Sequence, residues 1–430
     1  MGFQQGLSGV GAAAKQLDVI GNNVANSSTV GFKQSRAEFA DMFAASYYGV
    51  SAVQNGIGAT VQAVAQQMNQ GNINITNNQM DLAISGNGFF ITQTTNGQAY
   101  TRNGQFQVDK DGYIVNNGDK LMGWGVVPDS NPAKMREGEL QTLKVNTDMI
   151  QPVASDGGTT PIKMVRLTTN LDSRQTVPPA ATPFSTTDPT TYNHSTSATL
   201  YDSLGNPLTL TTYYRKTANN QWDVYARINN PNMPASASNP TMLNGGAAQS
   251  LSFNSDGTLS TPAGGSLAFG SYTSIAGANP LTVTLDIGSG KSGTTQFGNT
   301  FAVNELNQVG YASAALTGLQ VDKTGVIKAR YSNGQTKDIG QVVLANFKNS
   351  QGLQSVGSNR WMETLASGSP TLNNPGSTNV GLVQSGALED SNVDLTSELV
   401  NMITAQRYYQ ANAQTIKVQD AVMQTLINLR

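Results

Sequence analysis

Three stretches, and carboxylates anywhere in the chain, carry residue types that could do chemistry. Gly288-Ser289-Gly290-Lys291-Ser292 resembles the end of a phosphate-binding loop, in which backbone amides and a lysine hold the phosphates. The first glycine of that motif would fall at Leu285, and Gly293-Thr294-Thr295 is a poor start for the helix it needs, so the stretch reads as a polar turn after a strand. Asp109-Lys110-Asp111-Gly112 has the opening of a calcium loop. Tyr113 stands at the next ligand position, however, and no Glu closes a twelve-residue loop, which leaves a hairpin turn. His194, the one histidine, has no Gly-x-Ser-x-Gly elbow to partner it and reads as a solvated loop residue. Paired carboxylates could support glycoside hydrolysis without any compact motif. Aromatic residues are only 7% of the chain, with three Trp, so platforms for sugar rings are scarce. No catalytic, cofactor-binding or metal-binding residue is assigned, and the chain is expected not to be an enzyme.

Charge and cysteine counts narrow the field further. Lys plus Arg number 25 and Asp plus Glu 27, a formal net charge of -2, with charged residues 12% of the chain against a usual ~25%. Such a chain has no basic field for phosphates or anionic lipid, so neither nucleic acid nor membrane is expected as a partner. The absence of Cys excludes disulfides and thiolate sites, and a single His excludes multi-histidine metal centres. No apolar run approaches the ~18 residues of a membrane span, and the start lacks the features of a secretory signal. Met1-Gly2 does not make a myristoylation site, because Gly6 stands where Ser or Thr is wanted.

At ~100 to 200 residues per domain, 430 residues make two to four domains. Both ends read as helices. Leu7, Val10, Ala14, Leu17, Gly21 and Val24 follow Phe3 at alternating spacings of four and three, one seam of a helix. Asp394 is a good N-cap for a second helix of about 50 Å, on which Leu395, Leu399, Met402, Gln406, Tyr409, Ala413, Ile416, Met423 and Ile427 form a similar seam. Between them the signal is β. Asn-Gly at Asn55, Asn87, Asn96, Asn103, Asn117, Asn244 and Asn333, and Asp-Gly at Asp111, Asp156 and Asp256, favour tight turns. Val108 to Ile114 and Val321 to Ile327 share a pattern that reads as two similar hairpins. From Pro231 to Leu285 only Asp256 is charged, and the strand pair 209–214 and 222–226 brackets Asn219-Asn220. The expectation is a multidomain, mainly β protein with α-helical termini and an inserted outer β domain.

Several blocks resemble the bacterial flagellar rod and hook axial proteins. The first is the run Asn22-Asn23-Val24-Ala25-Asn26-Ser27-Ser28-Thr29-Val30-Gly31-Phe32-Lys33, from which Asn22, Asn23, Ala25, Asn26, Thr29, Gly31, Phe32 and Lys33 are taken as the signature. Met80 to Phe90, Tyr100-Thr101-Arg102-Asn103-Gly104, Ser385 to Asp394 and Glu398 to Arg407 resemble further shared blocks. Together they cover about half the chain, at both ends. The long segment between them favours the hook branch over the shorter rod members.

The resemblance implies a subunit that self-assembles into the curved tube transmitting torque from rod to filament. Its terminal helices would pair as a coiled coil lining the tube, with an assembly interface of Leu7, Val10, Ala14, Leu17, Val24, Leu399, Met402, Tyr409, Ala413, Ile416, Met423 and Ile427. Its partners would be further copies of itself in a helical homopolymer, together with rod, hook-cap, hook–filament junction and export-apparatus proteins. It would be extracellular in the flagellum, exported without a cleavable signal. The expected partition is 1–32 with 391–430 as helical core, 33–75 with 376–390 as extended linker, 76–150 with 301–375 as inner β domain, and 151–300 as outer β domain. A distal rod protein of the same family, and a secreted β-rich glycan-binding adhesin, stay open as alternatives.

Overall fold

The computed structural model describes residues 2–42, 56, 58–127, 133–156, 165–179, 182–233 and 239–428; Met1, Asn55 and the last two residues lie outside these. The chain is mainly β with a helix at each end: α1 is Gly2–Ala25 and α2 is Leu395–Asn428. Helix α1 has no proline, and Asn26 closes its end by donating its side-chain amide to the Asn22 carbonyl at 2.9 Å. Helix α2 starts where Asp394 Oδ1 accepts from the Thr396 amide at 2.9 Å and Oδ2 from the Ser397 hydroxyl at 2.9 Å. The chain divides into two compact units, Met1–Thr147 with Gly318–Arg330 and Thr336–Arg430, and Asp148–Thr317 with Tyr331–Gln335.

In the first unit the two helices pack on each other. Gly6 and Gly9 permit the approach, since a Cβ on Gly6 would stand 2.9 Å from Ile416 Cγ1 and one on Gly9 2.5 Å from Asn412 Oδ1. The segment expected as an extended linker contains an antiparallel ribbon instead: β1 (Ser35–Met42) pairs with β2 (Gly58–Gln66), with a bulge at Glu38/Phe39. None of its strand residues is buried, so its sequence lacks the alternation that marks a half-buried strand. The main sheet interleaves strands from before and after the second unit. Val326–Tyr331 and Thr336–Val342 lead through Asp119–Val126 to Phe89–Thr94, Gly97–Thr101 and Arg360–Met362. Edge-to-face contacts of Phe89 with Phe347 (6.1 Å) and Trp361 (5.7 Å), and of Tyr100 with Phe347 (4.8 Å), anchor its core.

The second unit is an eleven-stranded sheet built around Trp222, Tyr214 and Phe269. Pro207–Ala218 and Gln221–Asn229 pair across a turn at Asn219-Asn220, with Trp222, Val224, Ala226 and Ile228 inward by strict alternation. The unit runs past residue 300, where the outer domain was expected to end, because Ala302–Asn307 pairs with Val165–Asn170.

The two matching patterns do form like turns. Asp109 Oδ1 accepts from the amides of Asp111 (3.0 Å) and Tyr113 (2.7 Å), and Asp322 Oδ1 from those of Thr324 (2.9 Å) and Val326 (3.1 Å). Asp202 repeats this with Leu204 and Asn206. The fourth residue of each turn is Gly112, Gly325 or Gly205, at φ 84°, 78° and 82°, the left-handed conformation of a bulged hairpin loop. The calcium-like look of Asp109 therefore comes from a carboxylate that binds its own backbone.

His194 departs from expectation. It begins the strand His194–Tyr201 and stacks on Phe301 at 4.6 Å, so it is half-buried and not a solvated loop residue.

Candidate assembly site

Where α1 ends, the chain enters a buried polar node. Lys33 Nζ donates to Glu389 Oε1 at 2.6 Å and to the Asn69 carbonyl at 2.7 Å. Arg102 donates one NH to Glu389 Oε2 at 2.9 Å and another to the Gly86 carbonyl at 2.8 Å, and the Gly71 amide completes the shell of Oε1 at 2.9 Å. The side chains of Lys33, Arg102 and Glu389 are 0%, 4% and 0% exposed. Two cations thus share one carboxylate out of water. Burial pushes both Lys33 and Arg102 below their usual pKa values, and the Glu389 carboxylate opposes that push. The carboxylate is sealed and accepts from three donors, which suits fixing geometry rather than proton transfer.

A second layer of amides surrounds the node. Asn23 exchanges two hydrogen bonds with Ser35, at 2.8 and 2.9 Å. Asn392 accepts from the Gln34 amide at 2.7 Å and donates to the carbonyls of Gln67 and Asn69. Gln34 donates to Glu398 in the first turn of α2. Gly31 sits at φ 69°, and a Cβ there would stand 2.7 Å from the Asn103 amide nitrogen, so the turn and the β core leave no room for a side chain. Both helices are in this way tied at their inner ends to one carboxylate and its collar.

Beyond the node the helices carry apolar side chains that the described residues leave wholly or partly exposed. On α1 the residues buried within the chain are Gly6, Ala13, Val19, Ile20 and Asn23, most of them one residue before the expected row. Leu7 is 57% exposed, while Val10, Ala14, Leu17 and Val24 are half-buried. On α2, Met402, Ala413 and Ile416 are half-buried, whereas Leu399, Tyr409, Met423 and Ile427 are exposed, Ile427 by 69%. Val400, Ile403, Tyr408, Val418 and Val422 join the exposed set. Apolar surface exposed to this extent is more than singly scattered side chains make.

Four family models match along the chain: a flagella basal body rod protein model at residues 3–33, the flagellar hook protein FlgE/F/G D1 domain at 83–149, the flagellar basal body protein FlaE D2 domain at 170–311, and the flagellar basal body rod FlgEFG protein C-terminal at 384–429. The flagellar hook protein FlgE of Salmonella typhimurium is 41% identical, covering 100% of both chains, and that of Escherichia coli K12 is 40% identical with the same coverage. The chain belongs to the flagellar hook protein family. As a hook protein it is a structural subunit and not an enzyme, and neither the rod nor the adhesin alternative is favoured. The flagellar hook protein FlgE of Borreliella burgdorferi is 33% identical over 99% of this chain and 98% of its own. A crystal structure of Helicobacter pylori flagellar hook protein FlgE2 shares the fold with TM-score 0.53 at 15% identity, covering 74% of this chain and 100% of that one.

Of the signature residues of this hook protein, Asn23, Gly31 and Lys33 are buried in the node and its collar. Asn26, Thr29 and Phe32 are half-buried in the turn, and Asn22 and Ala25 are exposed. Thr29 donates its hydroxyl to Asn26 Oδ1 at 3.2 Å, and the Phe32 amide donates to the Thr29 carbonyl, which tightens the turn. Sequence reasoning missed Glu389, Arg102, Gln34 and Asn392 as members of this site. A signal existed for Glu389, an acid directly after Ala387-Leu388 in a chain with few charges.

Proposed function

We propose that this chain polymerises into the hook as a helical homopolymer, the flexible tube that carries torque from rod to filament. The observation that supports it best is the uncovered apolar surface of α1 and α2, anchored at one end by a rigid buried node. The parts of Leu7, Val10, Ala14, Leu17 and Val24 left open in one subunit would meet the exposed Leu399, Tyr409, Met423 and Ile427 of its neighbours, removing that surface from water, while Met402, Ala413 and Ile416 hold the two helices of each subunit in register. Rod, cap, junction and export-apparatus proteins would meet the same helical ends, and the chain would leave the cell without a cleavable signal. The test is polymerisation of the purified chain, viewed by electron microscopy. Curved tubes are expected, and Leu17→Asp or Ile416→Asp should abolish them while leaving melting of the β units unchanged. Straight rods, or tubes that survive both substitutions, would overturn the reading.

A further inference from the structure

The second unit holds an imidazole in a setting that suits only its neutral form. The His194 ring stacks on Phe301 at 4.6 Å and 11° and lies 6.2 Å from the Trp222 ring at 24°. Its Nε2 is enclosed and has no hydrogen-bond partner among the described residues. The buried Tyr214 side chain, whose residue pairs with His194 across the sheet, packs on the same Phe301 ring at 5.9 Å. An imidazolium in this place would carry a donor at Nε2 with nothing to accept from it, in a wall of aromatic carbon.

The charged groups around it do not cure this. Asp172, after the strand Val165–Asn170, is the one carboxylate with a resolved pull on the ring, and Arg174 already grips it at 2.9 and 3.0 Å. Lys216, on the strand paired with that of His194, donates to the carbonyls of Ser173 and Gln175, and its ammonium is 5.9 Å from the Trp222 ring centroid, a like charge to an imidazolium. On the Trp222 strand, Asp223 accepts from Ser250 and sits on the opposite face by alternation; past Phe301, Glu305 is held by Arg166.

We infer that His194 is an acid-sensitive latch: below neutral pH the protonated ring must leave its aromatic stack, and the edge strand His194–Tyr201 with its sheet loosens. Burial lowers the His194 pKa, and the Asp172 charge only partly offsets this. With the folded pKa depressed, the stabilisation is fully present above the unfolded value of about 6.5 and is lost as pH falls towards the folded value.

The chain has one His, so between pH ~7 and ~5 no other side chain titrates at its ordinary pKa, and the latch can be read directly. In the full-length monomer, the single imidazole resonance in proton NMR is expected to titrate below 6.5. The unfolding constant of the second unit, followed by hydrogen exchange of its strands, should rise by up to about tenfold per pH unit through that window. His194→Phe should flatten the rise while preserving the stack. A titration at or above 6.5, or a rise that persists unchanged in the Phe variant, would overturn the inference. If the variant does not fold, the wild-type resonance decides the matter alone.

Discussion

At the scale of single residues, the buried node sets unequal costs for its members. Removing the charge of Glu389 leaves two cations sealed from water, whereas removing Lys33 leaves Arg102 and Glu389 as a balanced pair. Breaking a buried pair in the first way costs about 3 to 5 kcal/mol. Glu389→Gln is therefore expected to lower the stability of the first unit by about that much, and Lys33→Met by clearly less, as read from urea denaturation followed by Trp124 and Trp361 fluorescence. Equal losses would show that the node is held by its collar of amides and not by charge. The sequence exposed part of this site. Lys33 stood out because it closes a recognisable block, but its partners are far along the chain, and no local pattern says which carboxylate a lysine will find. His194 misled for a related reason: neighbours such as Asn193 and Ser195 look solvated, while the Phe301 that covers the ring is more than a hundred residues away.

At the scale of elements, the helices were the most legible part. Periodicity and the Asp394 cap gave both, and what periodicity could not give was which row α2 would cover, since that depends on the side chains missing at Gly6 and Gly9. Gly9→Leu should push the helices apart and block polymerisation, with the β units unaffected in hydrogen exchange. The cap has its own pH signature. Side-chain bonding from Ser397, with the amides of Ser397 and Thr396, lowers the Asp394 pKa, so the cap's contribution is present above the ordinary carboxylate value of about 3.9 and fades as pH falls through the folded value. Asp394→Ala should thus speed exchange of the first α2 amides at neutral pH and make no difference in strong acid. The β1–β2 ribbon was illegible because neither of its faces is buried, and hydrophobic alternation reports only strands with a dry side.

At the scale of the whole molecule, low charge and exposed apolar helices make a joint prediction. With a net charge of -2, long-range repulsion or attraction between copies is small, so burial of apolar surface should dominate association. Polymerisation is expected to speed up on warming from near 0 °C and to change by less than about twofold between low and moderate salt. A steep salt dependence in light scattering would mean that ion pairs between subunits drive assembly instead.

The node also has a position in time. Its carboxylate lies 356 residues after Lys33 and 287 after Arg102, so on the ribosome both cations emerge long before their counter-charge is synthesised. Until residue 389 is out, the first unit has two positive groups with no reason to leave water, and closing its core around them is unfavourable. A prematurely terminated chain consequently cannot complete the base from which its helices project. One acidic residue late in the message thereby gates completion of the first unit, keeping fragments that stop before it from offering a finished base to a growing polymer.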